Sequence, residues 1–454
     1  MNSLESKERL LTFINKQNFS SPDDPLKKQA EKCFLDLAGV ICAGAKNHTA
    51  KTMAEYVKAN YPQGEYTILA TGGKTNFIGA ALANGMAANA LDMDDGYSLL
   101  RGHPGAGFFG ALLSAAQQTE CTYGEFLNAL IIGYETSIRQ GYAIRNYYGW
   151  DHSSGSYAAF ATVASVASLL KPDAATLENA LSIADFIMPV NPAKRSCYYP
   201  SMNKDGIYWG QHAGAQAITM AKAGITGKNP VIFDEAYADY LETLGKTYYI
   251  FDLYFKFHSC CRWAHGPILA VKSIMEIEEI KPCDIAKVDI YSFGNAGTLY
   301  QQAPACEDEA QYNIVYPIAA QIVFGDCGPL ESSTTKMLDG AIVEIMKKIE
   351  FHHEEEYDRS FPAKRYCRAE ITLENGSKYI SPVTEPFGES KDNVGIEIIR
   401  QKFIKINSLY VQPEQVREVA DFIVQYPLEG KFREISKKIE VLAQENRHQE
   451  IKFI

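Results

Sequence analysis

The chain lacks most of the marks by which a sequence announces a specialised setting. It has no C-x-x-C pair, and its 10 cysteines are spread over 454 residues. That density is too low for a secreted disulfide scaffold, and the spacing suits neither a zinc nor an iron–sulfur site. Most thiols are expected to be reduced, with Cys260-Cys261 the notable adjacent pair. Long apolar runs are missing as well. The cleanest stretch, around Phe160 to Leu170, falls short of the roughly 18 residues a membrane span needs. The opening residues, Met1-Asn2-Ser3-Leu4-Glu5-Ser6-Lys7-Glu8-Arg9, are charged where a signal peptide needs an apolar segment. Basic charge is scarce: 44 Lys and Arg face 55 Asp and Glu, a net of −11, with no concentrated basic patch. Such a chain repels a phosphate backbone, which argues against a nucleic-acid partner. Internal repeats and low-complexity segments are absent too. A cytoplasmic protein without membrane contact is the expectation.

What is present is ordinary globular material, 46% apolar and 22% charged, enough for about two or three folding units. To about residue 280 the sequence reads as helices rich in Ala and Gly. Asp24-Pro25 opens the first clear one as an N-cap followed by Pro should. Others are expected near 77–91, 106–117, 124–145, 155–170, 174–188, 206–223 and 263–277. Small residues at three- and four-residue spacing, such as Ala80, Ala83, Ala87 and Ala90, let helices approach closely and predict a central place for them. After Pro282 the character changes. Lys287 to Phe293 alternates as a strand, and Arg365 to Leu373 with Lys378 to Ser381 forms a hairpin around Asn375-Gly376. Helices are predicted between them, over 311–324 and 335–347, and helix returns after Asp392. The fold class is therefore mainly α: a large all-helical domain of residues 1–281 and 396–454, plus a smaller α+β domain of 282–395.

Candidate chemistry gathers at helix starts. Thr71-Gly72-Gly73-Lys74-Thr75 imitates the end of a phosphate loop, but the position that must be Gly is Ile68, so the segment reads as a hairpin tip. Asp92-Met93-Asp94-Asp95 and then Arg101-Gly102-His103-Pro104-Gly105 place carboxylates, a guanidinium and an imidazole close together, a set able to shift pKa values toward neutrality. Helix capping and solvation is the plain alternative there. Asp151-His152-Ser153-Ser154-Gly155 sets a second His before a helix, and Lys204-Asp205-Gly206 a Lys before another. Phe255 to Pro267 adds Lys256, Cys260, Arg262 and His265. Singly, each of these has a structural explanation. Jointly, cationic helix starts within an acidic protein suit a small polycarboxylate ligand.

These segments resemble the MmgE/PrpD family, which includes 2-methylcitrate dehydratase, cis-aconitate decarboxylase and iminodisuccinate epimerase. The resemblance rests on Ala80 to Asp95, His103-Pro104, Lys204-Asp205-Gly206 with Ala223 to Gly227, Lys256 to His265, and Ala310 to Pro317. It implies a site between two domains, a homodimer, and no metal, iron–sulfur cluster or nucleotide cofactor. Carried onto matching positions, the implied site residues are Asp92, His103, His152, Lys204, His265 and Tyr316. Many members have Thr or Ser directly after the Asp-Asp pair, where this chain has Gly96, so one hydroxyl contact is expected to be missing. The expected reaction moves a proton next to a carboxylate, with cations stabilising the enolate-like charge. His103 and His152 are assigned proton transfer, Asp92 the orientation of one imidazole, and Tyr316 a hydrogen bond or proton. Lys204 and His265 are assigned the substrate carboxylates, with Lys256, Arg262 and Arg101 in support. A dehydratase-like lyase is the first expectation. Epimerase, decarboxylase and a non-catalytic polycarboxylate-binding protein are the alternatives.

Overall fold

In a computed structural model the structure describes residues 2–19, 21 and 23–445; the end of the predicted helical domain, 446–454, lies outside them. Local rules account for several helix boundaries. Asn2 and Glu5 close a capping box on Ser3–Lys16. The Asp24 carboxylate accepts from Leu26 N ahead of Pro25–Gly44. Thr122 and Glu125 cap Tyr123–Tyr148, which ends on Gly149 in the left-handed region at φ 76°.

The helical unit is built around helices Phe77–Asn89, Ala106–Gln117, Gly155–Leu170 and Ile207–Lys222, which pack on one another. Their small residues do what the spacing predicts. A Cβ added to Gly110 would lie 2.6 Å from the backbone of Asn84, and one on Gly210 2.4 Å from the carbonyl oxygen of Gly155. The chain's end returns to this unit. Ile396–Asn407 and Phe432–Gln444 lie against Pro25–Gly44, and the Phe432 ring stacks on Phe126 with centroids 3.7 Å apart. No helix among the described residues is long and apolar enough to cross a membrane.

The smaller unit holds a four-stranded sheet in the order Ile349–His353, Ile285–Ser292, Cys367–Leu373, Lys378–Ile380. The first pair is parallel and the others antiparallel. The hairpin and its first partner follow the sequence reading; strand Ile349–His353 adds to it, a run of five residues whose apolar face is only Ile349 and Phe351, packed on the smaller unit's core. Two predicted helices are broken. Asn313 accepts from both Val315 N and Tyr316 N, separating Glu307–Gln311 from Tyr316–Phe324, and Asp339 starts Gly340–Met346 after the short Thr334–Met337.

Helix Arg262–Ile277, placed by the sequence reading in the helical domain, lies instead on the smaller unit. Ala264, Ile268, Val271 and Ile274 belong to the same buried cluster as Val288, Ile290 and Ile371 of the sheet. An apolar stripe needs a partner, and here strand Cys367–Leu373 and helix Tyr316–Phe324 supply it. Apart from Cys197, the second core thus draws on the chain from Cys260 onward, ahead of the boundary expected at Pro282.

Candidate active site

The site grows from the end of helix Phe77–Asn89. A helix leaves its last carbonyls without partners, and each carbonyl from Asn89 to Met93 is taken by a side chain from a distant segment. Lys204 Nζ donates to Asn89 O at 2.9 Å and Ala90 O at 2.7 Å. Gln311 Nε2 donates to Ala90 O at 3.1 Å, and Ser259 Oγ to Leu91 O at 2.6 Å. Lys256 Nζ reaches Asp92 O at 2.9 Å, and Lys402 Nζ reaches Met93 O at 2.6 Å. Three ammonium groups at the negative end of one helix are electrostatically matched to it. They hold Asp92 in the left-handed region, at φ 51°, a conformation a non-glycine residue keeps only when its surroundings impose it.

The fixed turn aims two carboxylates at one imidazole. His103 Nδ1 lies 2.8 Å from Asp94 Oδ2, while its Nε2 stands 3.7 Å from Asp92 Oδ1. Nδ1–H donates to Asp94, whose other oxygen accepts from Asn89 Nδ2 at 2.8 Å. That fixes the ring and leaves Nε2 for chemistry. Lys256 Nζ is 3.0 Å from Asp92 Oδ2, yet neither oxygen of the Asp92 side chain has an aligned hydrogen bond, so this contact is an ion pair only. The backbone is tied from the other side as well. His103 N donates to Ser154 Oγ at 3.0 Å, and Ser154 donates to the Asp205 carboxylate. Burial alone would lower the His103 pKa, but the Asp94 and Asp92 charges outweigh it and raise the pKa above the ordinary imidazole value. Burial likewise opposes ionisation of Asp94, and the His103 charge overcomes it, holding that carboxyl below its usual range.

His103 and Lys256 open onto a cleft of about 50 Å³ between the two units, shared with Arg101, Tyr254, Arg262, Tyr312 and Arg365. Most cations here are already engaged. Arg101 pairs with Asp151, and Arg262 donates to Glu389 Oε1 at 2.8 Å and Phe387 O at 2.8 Å. Arg365 donates to Ser98 Oγ at 2.7 Å, across the cleft. Asp92, Asp94 and His103 place ligand atoms within 4.8 Å of one another, as do Asp289, Glu350 and His352 on the sheet. In both clusters a lysine ammonium already sits against the carboxylates, Lys256 in the first and Lys287 in the second.

Of the residues expected from the sequence, the structure brings Asp92, His103, Lys256, Arg262 and Arg101 together. The others are elsewhere. Lys204 is buried, its ammonium engaged by Asn89 O, Ala90 O and Gln311 Oε1, so it supports the turn rather than offering a charge to the cleft. The His152 ring packs on Trp150 at 4.0 Å and Tyr148 at 4.9 Å, outside the cleft lining. His265 Nε2 faces Cys260 O at 3.1 Å, and burial beside His258 drives its pKa well below the normal range, which makes it a neutral group and no carboxylate partner. Tyr316 donates to Glu331 O at 2.5 Å, inside the smaller unit. The orienting carboxylate of His103 is Asp94 rather than Asp92. Asp94 was visible in the Asp-x-Asp pattern and Asp205 beside Lys204. Arg365, Tyr254 and Lys402 carried no local signal.

With that geometry in place, comparison with known proteins is informative. The sequence model of the MmgE/PrpD N-terminal domain matches residues 8–246, and that of the MmgE/PrpD C-terminal domain matches residues 258–425. A cis-aconitate decarboxylase from Aspergillus terreus is 23% identical over 475 aligned positions, covering 94% of this chain and 94% of its own. One from Aspergillus terreus (strain NIH 2624 / FGSC A1156) is 22% identical, covering 90% of each chain. The cis-aconitate decarboxylase-like protein oryM of Aspergillus oryzae (strain ATCC 42149 / RIB 40) is 24% identical, covering 89% of this chain and 90% of its own.

Proposed function

The chain belongs to the MmgE/PrpD family, and from that premise we propose that it is a cofactor-independent lyase acting on a small polycarboxylate, with His103 moving a proton at a carbon next to a carboxylate. The observation that carries this reading is the buried quartet Asp94, His103, Asp92 and Lys256, which holds one imidazole in a defined tautomer at the cleft.

Decarboxylation of an unsaturated tricarboxylate such as cis-aconitate fits the quartet best. The Asp94 and Asp92 charges overcome burial and raise the His103 pKa, which favours the protonated ring and suits it to deliver a proton. The bond from carbon to the departing carboxylate breaks, and its electron pair passes through the double bond toward the remaining carboxylate. Lys256, together with a guanidinium of the cleft, stabilises the charge that develops. Nε2–H then gives its proton to carbon, and carbon dioxide leaves. The three relatives bearing the decarboxylase name support the same assignment.

Dehydration of a 2-methylcitrate-like acid is the second reading. It needs an acid as well as a base, and the phenols of Tyr254 and Tyr312 in the cleft are suited to protonate a leaving hydroxyl while neutral His103 takes the α-proton. Incubation with cis-aconitate and with 2-methylcitrate, following released carbon dioxide and the absorbance of the new double bond, decides between them. Carbon dioxide from cis-aconitate supports the first reading; loss of water from 2-methylcitrate without it replaces the first by the second. Neither product, with both acids bound, would leave a binding protein. A cytoplasmic homodimer working without metal completes the proposal. Light scattering on the purified protein and turnover after chelation test those parts.

A further inference from the structure

The quartet leaves two polar groups of the cleft unexplained. Tyr254 is 2% exposed as a residue and lines the cleft; its hydroxyl is not sealed off as that of Tyr312 is, and makes no hydrogen bond among the described residues. The hydroxyl of Tyr312, from the smaller unit, is buried at the same cleft and likewise unpartnered. Buried hydroxyls without partners are costly, and at a binding cleft the ligand is the natural partner.

Tyr254 is also held firmly. It stands opposite Gly96 in the short ladder that joins Gly96–Tyr97 to Leu253–Tyr254. A Cβ on Gly96 would lie 2.2 Å from Tyr254 Cζ and 2.3 Å from its oxygen. Gly96 is not among the glycines with positive φ, so its backbone does not call for glycine; only the phenol's position does. The guanidinium groups of Arg262 and Arg365 flank the ring, at 4.5 and 5.4 Å from its centroid. A ring packed on Gly96 and flanked by two cations has little freedom to swing away.

We propose that Tyr254 and Tyr312 are substrate-binding residues that donate hydrogen bonds, one from each unit, to a single carboxylate of the ligand, and that position 96 is glycine to make room for the first of them. The inference deepens the lyase reading and rests on the same cleft. Burial raises both phenol pKa values, for Tyr254 against the pull of Arg365, Lys256 and Arg262. Both therefore stay protonated and donate without adding charge, so recognition is independent of the proton held by His103.

The test uses the full chain and propane-1,2,3-tricarboxylate, which lacks both double bond and hydroxyl, with binding measured by calorimetry. Tyr254→Phe is expected to weaken binding about 10- to 100-fold, as loss of a hydrogen bond to a charged group does; under the decarboxylase reading, where the phenol transfers no proton, the pH dependence of turnover stays in place. Tyr312→Phe should act similarly. Gly96→Ser alone should lower the melting temperature by several degrees, and Gly96→Ser with Tyr254→Ala should recover most of that loss, a readout independent of any ligand. Wild-type-like binding by Tyr254→Phe overturns the proposal, as does Gly96→Ser tolerated beside an intact Tyr254. If the wild type binds the tricarboxylate yet turns over no acid, the lyase reading fails and this one stands. If the wild type binds no carboxylate, both fail.

Discussion

The two walls of the cleft are held by different means. On the helical side, the turn from Asn89 to His103 is pinned by Lys204, Lys256, Lys402 and Ser259 through its own backbone carbonyls, all of these side chains buried. On the other side, Trp263, Tyr312 and Arg365 ride on the smaller unit's separate core. Arg365 ties that wall to the first through Ser98. Acid–base chemistry tolerates little misplacement, and His103, to which the proposed function assigns it, is on the pinned wall. The proposed recognition is divided, Tyr254 standing opposite Gly96 on the pinned wall and Tyr312 on the wall that belongs to the other packing unit. The cleft is narrow between the two walls, at about 50 Å³, so the fit of a ligand is set by both.

The contrast can be broken most severely at His103. Replacing it by Asn should reduce kcat/KM by roughly 10²- to 10⁴-fold, with circular dichroism unchanged; a folded variant with near-normal kinetics would remove it from the chemistry. Asp94→Asn sharpens the same point through pH. Activity that needs the protonated imidazole is present at low pH and lost as pH rises through the raised His103 pKa. Without the Asp94 charge that loss should begin at lower pH.

Next in size is Lys402, whose ammonium joins Asp36 and Met93 O, each at 2.6 Å. Lys402→Met leaves a buried carboxylate without its cation, a change that typically costs about 3–5 kcal/mol, measurable by urea unfolding. Because it also frees Met93 O, kcat should fall even in conditions where the variant is folded. The opposite wall should respond differently. Arg365→Lys keeps the charge but loses the planar fork, and should raise KM by about tenfold with little change in kcat. A fall in kcat alone would mean that the two walls are not separable in function.

The smallest effect concerns stability. Burial pushes the Asp95 carboxyl up to about 7, above its unfolded value. The folded state therefore holds a proton that the unfolded state has lost, and stability declines as pH rises through that range. Between pH 6 and 8 the expected loss is about 1.4 kcal/mol, one pKa unit's worth. Asp95→Asn should flatten the decline in melts taken across those pH values.

Much of the fold was legible from residue order. The Asp24-Pro25 helix start and the Asn375-Gly376 turn are local signals, and the structure uses each where it was expected; the Thr122–Glu125 capping pair and the stop at Gly149 are equally local and carry the helix expected over 124–145 out to Tyr123–Tyr148. The break at Asn313 was missed because the apolar pattern runs straight across it, and the side-chain bonds that stop the helix are invisible to periodicity. Strand Ile349–His353 was missed because its alternation spans only Ile349 and Phe351 on the apolar side, too short a signal until the parallel pairing with residues 288–292 completes it. At the site, the cluster of Asp92, Asp94 and His103 was visible as a dense local motif. Lys204 and His265 were grouped with it on charge and spacing, which carry no record of whether an ammonium is already bound or an imidazole neutralised by burial.

By itself, the order of residues determined where the long helices of the larger unit lie, that the chain is mainly helical with a smaller mixed part, and that carboxylates and an imidazole share one short stretch. These follow from periodicity, capping and turn chemistry, all of which act over a few residues. Only the tertiary structure decided which cations face the cleft and which are engaged beneath it, because an ammonium's fate depends on carbonyls supplied by remote segments. It also decided that a phenol fills the space beside Gly96, since that depends on how closely two backbones approach.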